Sequence, residues 1–74
     1  MTDTMLLAEK LKTILELENA ARCVVSLTNA LPRCENEDER LRVATGIEHF
    51  KADVQRYGDR LLQLAVSDSA ARVA

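Results

Sequence analysis

The chain has 74 residues and a net charge of -2, from ten Lys and Arg against twelve Asp and Glu. So short a chain forms at most one domain, whose core barely offsets the conformational entropy of folding, so we expect association with another chain. The weak net charge offers no attraction to nucleic acid or anionic lipid, and we predict neither as a partner.

The first ten residues, MTDTMLLAEK, lack the basic segment and cleavage site of a secretory signal. No apolar run approaches the roughly 20 residues that a transmembrane helix needs. The two cysteines show no sign of pairing, which is typical of a reducing compartment. These features predict a cytoplasmic protein.

The first predicted element is a helix over about residues 5–30, which ends before Pro32. Proline removes a backbone donor and disfavours helical geometry in the residue before it. Apolar residues recur at the a and d positions of a heptad, as in one helix of an antiparallel helix pair. The predicted core residues of this helix are Leu7, Ile14, Leu17, Ala21 and Val24.

Residues 31–36 are predicted to form a turn, followed by a second helix over about residues 37–66. The tail over 67–74 either frays or extends the helix by a turn or two. Asn36 and Glu39 have the spacing of a capping box at the start of this helix. The same heptad pattern predicts the core residues of helix 2, which are Ile47, Phe50, Val54, Tyr57, Leu61 and Leu64. The whole chain is therefore predicted to be an all-α, coiled-coil-like antiparallel hairpin that associates into a helical bundle.

Helix 1 carries more apolar residues than one helix pair can bury, and helix 2 carries glycines beside its predicted seam. A wide apolar face is typical of a helix that contacts more than one neighbour. An internal glycine costs about 1 kcal/mol; the glycines either admit a close neighbouring helix or are simply tolerated. The predicted partner-binding residues are Leu6, Leu11, Ala20, Val25, Leu27, Gly46 and Gly58.

Cys23 and His49 are a candidate pair for chemistry, because the hairpin would place them at nearly the same height. Two outward-facing residues do not supply the three or four ligands of a zinc site. A Cys–His nucleophilic pair also needs an orienting group and an oxyanion hole, which this sequence does not suggest. We therefore predict no catalytic site, no metal and no cofactor.

The two-helix plan resembles the small helical-hairpin co-chaperones of bacterial type III secretion systems. The resemblance covers the chain length and the apolar positions of both helices, which are Leu7, Leu11, Ile14, Leu17, Ile47, Phe50, Val54 and Leu61. The turn, which reads PRCENEDERL, departs from the family's pattern, so no family site residue is transferred. The resemblance implies a bacterial cytoplasmic protein that binds a larger helical chaperone or a needle subunit.

Two functions follow as expectations. The first is a non-catalytic co-chaperone or adaptor that stabilises a helical partner. The alternative is a small regulatory or structural homodimer that forms a four-helix bundle.

Overall fold

The computed structural model describes the backbone of residues 3–73 and the side chains of residues 3–67. It contains two helices, α1 (Asp3–Ala30) and α2 (Glu37–Val73), joined by a short 3-10 helix over Leu31–Arg33. The two helices lie side by side in a rod with extents of 57 × 15 × 14 Å. The predicted all-α helical hairpin is confirmed.

The turn is built from Pro32 and the residues on either side of it. Pro32 lies at the start of the 3-10 helix, where its missing N–H leaves no bond unmade. The Cys34 N–H donates to the Leu31 carbonyl at 3.2 Å, and the Cys34 thiol lies 3.6 Å from the Ala30 carbonyl oxygen. Cys34 then takes an extended backbone conformation, which ends the turn.

Asn36 caps α2, as the sequence predicts. Its Oδ1 accepts the Glu39 N–H at 2.8 Å, and its carbonyl accepts the Arg40 N–H at 3.1 Å. The Glu39 carboxylate accepts the N–H of Glu35 at 3.0 Å, one residue before the cap itself. The cap therefore satisfies one backbone donor inside the helix and one just outside it.

Helix α2 continues beyond the expected end near residue 66 as far as Val73, so of the two alternatives for the tail the structure shows the extended helix. The sequence after Val66 contains no proline or glycine, and its alanines and Arg72 are strong helix formers. Most of the predicted tail therefore extends the helix.

On α2, the predicted heptad positions face α1. Ile47 and Leu64 are buried, and the others are half-buried: Phe50, Val54, Tyr57 and Leu61. The seam of the hairpin thus follows a 3-4 spacing along α2, which is the geometry of coiled-coil packing.

On α1, the helix is rotated relative to the predicted seam. The prediction that Leu7 and Ile14 lie in the hairpin core is wrong, since they are 57% and 43% exposed. The residues that face α2 are instead one position earlier in each heptad: Leu6, Thr13, Ala20 and Leu27, together with the shared positions Lys10, Leu17 and Val24.

The rotated seam includes a close contact between Leu27 and Gly46. A Cβ on Gly46 would lie only 3.0 Å from Cδ1 of Leu27, so the leucine packs onto bare backbone. Ala20 is also buried and small enough to admit α2 closely. Thr13 can be buried in the same seam because its hydroxyl donates to the Glu9 carbonyl at 2.8 Å.

The hairpin buries little of its own surface. In the part of the chain whose side chains are described, only Thr13, Ala20, Ile47 and Leu64 are buried, and no side chain is completely so. The accessible surface is 5815 Å², whereas a compact monomer of this mass exposes about 4,500 Å². This excess is the structural feature that bears most directly on function.

Candidate interaction surface

The two long sides of the hairpin differ in chemistry. Each helix has two rows of residues that flank the seam, one on either side. In an antiparallel pair, one flanking row of α1 lies next to one flanking row of α2, and together they form one long side of the hairpin. One side carries mostly apolar residues, and we call it the apolar face. It consists of Leu7, Leu11, Ile14, Ala21 and Val25 of α1 and of Leu41, Ala44, Gly58, Leu62 and Ala65 of α2.

The large side chains of the apolar face are open to solvent. Leu11 is 54% exposed, Val25 is 60% exposed and Leu62 is 65% exposed, in addition to Leu7 and Ile14. Single exposed apolar residues are ordinary on a protein surface. A row of them at helical spacing along one side of the molecule is typical of an interaction site.

The apolar face has a definite shape. Next to the seam, α1 contributes the large residues Leu7 and Ile14, which form a ridge. The equivalent positions of α2 hold Gly58 and Ala65, which form a groove, and Ala44, which Lys51 separates from them. A Cβ added at Gly58 would meet nothing within 4 Å, so the floor of this groove is empty.

Charged residues interrupt the apolar face near its middle. Glu18 of α1 pairs with Arg22 one turn later, and Lys51 of α2 lies 3.6 Å from Glu48. Both pairs join residues of the same helix and are exposed. Such pairs contribute only a few tenths of a kcal/mol, so they can rearrange when another charge approaches.

The opposite side of the hairpin is polar. Asp53 accepts a hydrogen bond from Arg56 at 2.7 Å and lies 3.6 Å from Nε2 of His49. The Tyr57 hydroxyl, and then the Asp53 carboxylate, raise the pKa of Arg56 above its ordinary value. A shallow cleft on this side is lined by Glu9, Lys12, Thr13, Glu16, Arg56, Tyr57 and Arg60. Acidic and basic side chains lie close together on this side, which is typical of a surface in contact with water.

The predicted partner-binding residues divide into two groups. Leu11, Val25 and Gly58 lie on the apolar face. The other four face α2 or α1 within the hairpin, contrary to the prediction: Leu6, Ala20, Leu27 and Gly46. The rotation of α1 accounts for the change in Leu6, Ala20 and Leu27. It turns the row of residues that was predicted to flank the seam toward α2, and it turns the row of Leu7 and Ile14 out of the seam.

Leu7, Ile14 and Leu62 are exposed residues of this surface that the sequence interpretation did not assign to it. Leu7 and Ile14 fit the heptad pattern as core residues, so the pattern itself concealed them. Leu62 falls between the core positions Leu61 and Leu64, and a large leucine outside the seam is the signal that could have identified it.

The side chains with potential chemistry do not assemble into a centre. Cys23 and Cys34 are free thiols. His49 is engaged with its own helix, with Asp53 one turn later and with the ring of Phe50 at 5.3 Å. Among the described residues, no three His, Cys, Asp or Glu side chains are grouped so as to hold a metal ion.

No protein-family model, curated protein or solved structure matches this chain. Within residues 3–73, neither helix combines the length and apolar character needed to cross a membrane. The function must therefore be inferred from the geometry of the hairpin, in which the apolar face is the most distinctive surface.

Proposed function

We propose that this chain is a non-catalytic protein–protein interaction module that binds a helical partner on its apolar face. The observation that carries this proposal is the row of exposed apolar side chains along one long side of the hairpin, although Met5, Leu15 and Val66 are exposed outside this row. A third helix laid along the apolar face would cover Leu7, Leu11 and Ile14 and complete a helical bundle.

The energetics of this interaction depend on the large side chains of the face. Burying a Leu, Ile or Val side chain completely contributes about 1.5–3 kcal/mol. Leu7, Leu11, Val25 and Leu62 are each more than half exposed, so each retains a large part of this contribution for an association. The partner must cover several of them at once, because association itself has an entropic cost of several kcal/mol.

The specific role that we propose is that of a cytoplasmic co-chaperone or adaptor in bacterial type III secretion. Support for this role comes from the resemblance in length and two-helix plan to the hairpin co-chaperones of those systems. The client would be an amphipathic helical subunit or its larger chaperone. Its exposed apolar stripe would otherwise promote aggregation, and the apolar face of the hairpin is suited to covering it.

The proposal is tested by measuring whether the chain keeps an aggregation-prone helical needle subunit in solution. Leu11→Glu places a charge on the apolar face without touching the seam, so we expect it to abolish protection. Ala52→Glu introduces the same charge at an exposed position of α2 that points away from both faces, and it should protect as well as the wild type. Equal light scattering of the subunit with and without the wild-type chain would refute the proposal.

A second candidate function is a small regulatory or structural homodimer. The observation that favours it is the pairing of a ridge on α1 with a groove on α2 within one face. A surface that carries both shapes can be complementary to itself.

A further inference from the structure

We infer that the apolar face binds a second copy of this chain, with a twofold axis parallel to the length of the hairpin. This inference rests on the second candidate function and deepens it, because it specifies how the two copies are arranged. In this dimer, α1 of one copy lies over α2 of the other, and the four helices form a bundle.

The heights of residues along the hairpin follow from the contact between Leu27 and Gly46. Counting in opposite directions from that contact, Ile14 lies at about the height of Gly58, and Leu7 at about the height of Ala65. A twofold axis along the rod preserves these heights between copies. Ile14 of one copy therefore meets the empty space above Gly58 of the other.

The same arrangement pairs a large residue with a small one near the open end of the face, where Leu7 lies over Ala65 of the second copy. Ridge residues that fit into a groove fill the space between helices at the density of a protein core. Each contact occurs twice, because the dimer is symmetric.

Opposite charges also meet in this arrangement. Ala21 lies at about the height of Lys51, and Glu18 is one turn along the same helix. The flexible side chain of Lys51 from one copy can therefore reach Glu18 of the other. The Glu48 and Arg22 contacts that these two residues now make are exposed and are easily exchanged.

The other possible twofold axis in this face is perpendicular to the rod. That axis would place α1 on α1 and α2 on α2, and it reverses the heights of one copy relative to the other. Ile14 of one copy would then lie over α1 of the other copy and not over Gly58.

The chain also has enough exposed surface for a dimer interface. It exposes 5815 Å², about 1,300 Å² more than a compact monomer of its mass. A standard protein interface removes about 800 Å² from each partner, which is less than this excess.

The first test measures the molecular mass of the purified chain by light scattering, at a protein concentration of tens of micromolar. We expect twice the mass of the chain for the wild type and for Ala52→Glu, and the single-chain mass for Leu11→Glu. A monomeric wild type, or a Leu11→Glu variant that is still dimeric, would overturn the inference.

The second test identifies the axis by disulfide cross-linking. In a background with Cys23→Ser and Cys34→Ser, the single variants Ile14→Cys and Gly58→Cys are prepared separately, then unfolded, mixed and refolded. We expect a mixed disulfide between the two variants after oxidation, and no mixed disulfide when Ala52→Cys replaces Gly58→Cys. A dimer in which Ile14→Cys cross-links only with itself, or in which no mixed disulfide forms, contradicts the proposed axis.

These outcomes separate the dimer from the proposed function. A dimer that gives no protection to a helical subunit would refute the proposed function and leave the inference standing. A monomer that still protects the subunit would refute the inference and leave the proposed function standing.

Discussion

The two glycines of α2 have different surroundings, although both lie inside the same continuous helix. A Cβ at Gly46 would come within 3.0 Å of Cδ1 of Leu27, whereas a Cβ at Gly58 would meet nothing within 4 Å. Gly46 therefore permits the close approach of α1 and α2. The fold of the single hairpin gives no such reason for Gly58, which lies instead on the apolar face.

This difference predicts opposite consequences of adding a methyl group. Gly58→Ala should raise the free energy of unfolding of the hairpin by up to about 1 kcal/mol, since alanine is the better helix former. Gly46→Ala should raise the free energy of unfolding by less than Gly58→Ala does, or should lower it, because Leu27 must move to accommodate the new atom. Urea unfolding followed by circular dichroism measures both, at concentrations low enough that the midpoint no longer depends on concentration. Equal gains for the two variants would contradict this account of Gly46.

At the scale of the element, α1 offers two alternative seams. Leu17 and Val24 belong to both seams. The two seams differ in the residue that packs between them against α2, which is Ala21 in one seam and Ala20 in the other. The structure selects the second, with Ala20 only 4% exposed. The rotation exposes Leu7 and Ile14, so the same choice that packs the hairpin also creates the apolar face.

A pair of substitutions distinguishes the two seams. Ala20→Leu should lower the free energy of unfolding by about 1–3 kcal/mol, because extra methyl groups do not fit a packed seam. Ala21→Leu should cost less, since Ala21 is only half-buried. Ala8→Leu, at an exposed position of the same helix, is the matched control in urea unfolding experiments. A larger loss for Ala21→Leu than for Ala20→Leu would mean that α1 packs by the other seam.

At the scale of the whole molecule, the hairpin has only a thin core, which in the described part of the chain consists of Ala20, Ile47 and Leu64 together with Thr13. A rod of 57 × 15 × 14 Å with two helices side by side leaves more than one side of each helix in water. Two-helix pairs are marginal for this reason, and helical bundles gain stability by adding a second layer. The stability of this chain should therefore depend on what covers its apolar face.

This dependence predicts that the midpoint of thermal unfolding rises with protein concentration. Association of folded chains stabilises them by mass action, and dilution removes that contribution. Differential scanning calorimetry over a hundredfold range of concentration should show the rise for the wild type and for Ala52→Glu. In Leu11→Glu the midpoint should be nearly constant. A wild-type midpoint that does not change with concentration would argue against self-association.

The sequence by itself determined the two helices, the turn and the side of α2 that faces inward. Pro32 and Asn36 act on their immediate neighbours, and these local effects need no tertiary contact to be recognised. The heptad pattern of α2 has one apolar stripe that includes Ile47 and Leu64, so its orientation follows from the pattern.

Only the tertiary structure decided the orientation of α1. Its apolar residues cover a broad arc, so several rotations would each bury an apolar stripe of similar quality. The observed rotation brings together distant parts of the chain, with Leu27 against the bare backbone of Gly46. A pattern within one helix cannot encode this choice, because its energy depends on the shape of the other helix. The location of the apolar face followed from the rotation.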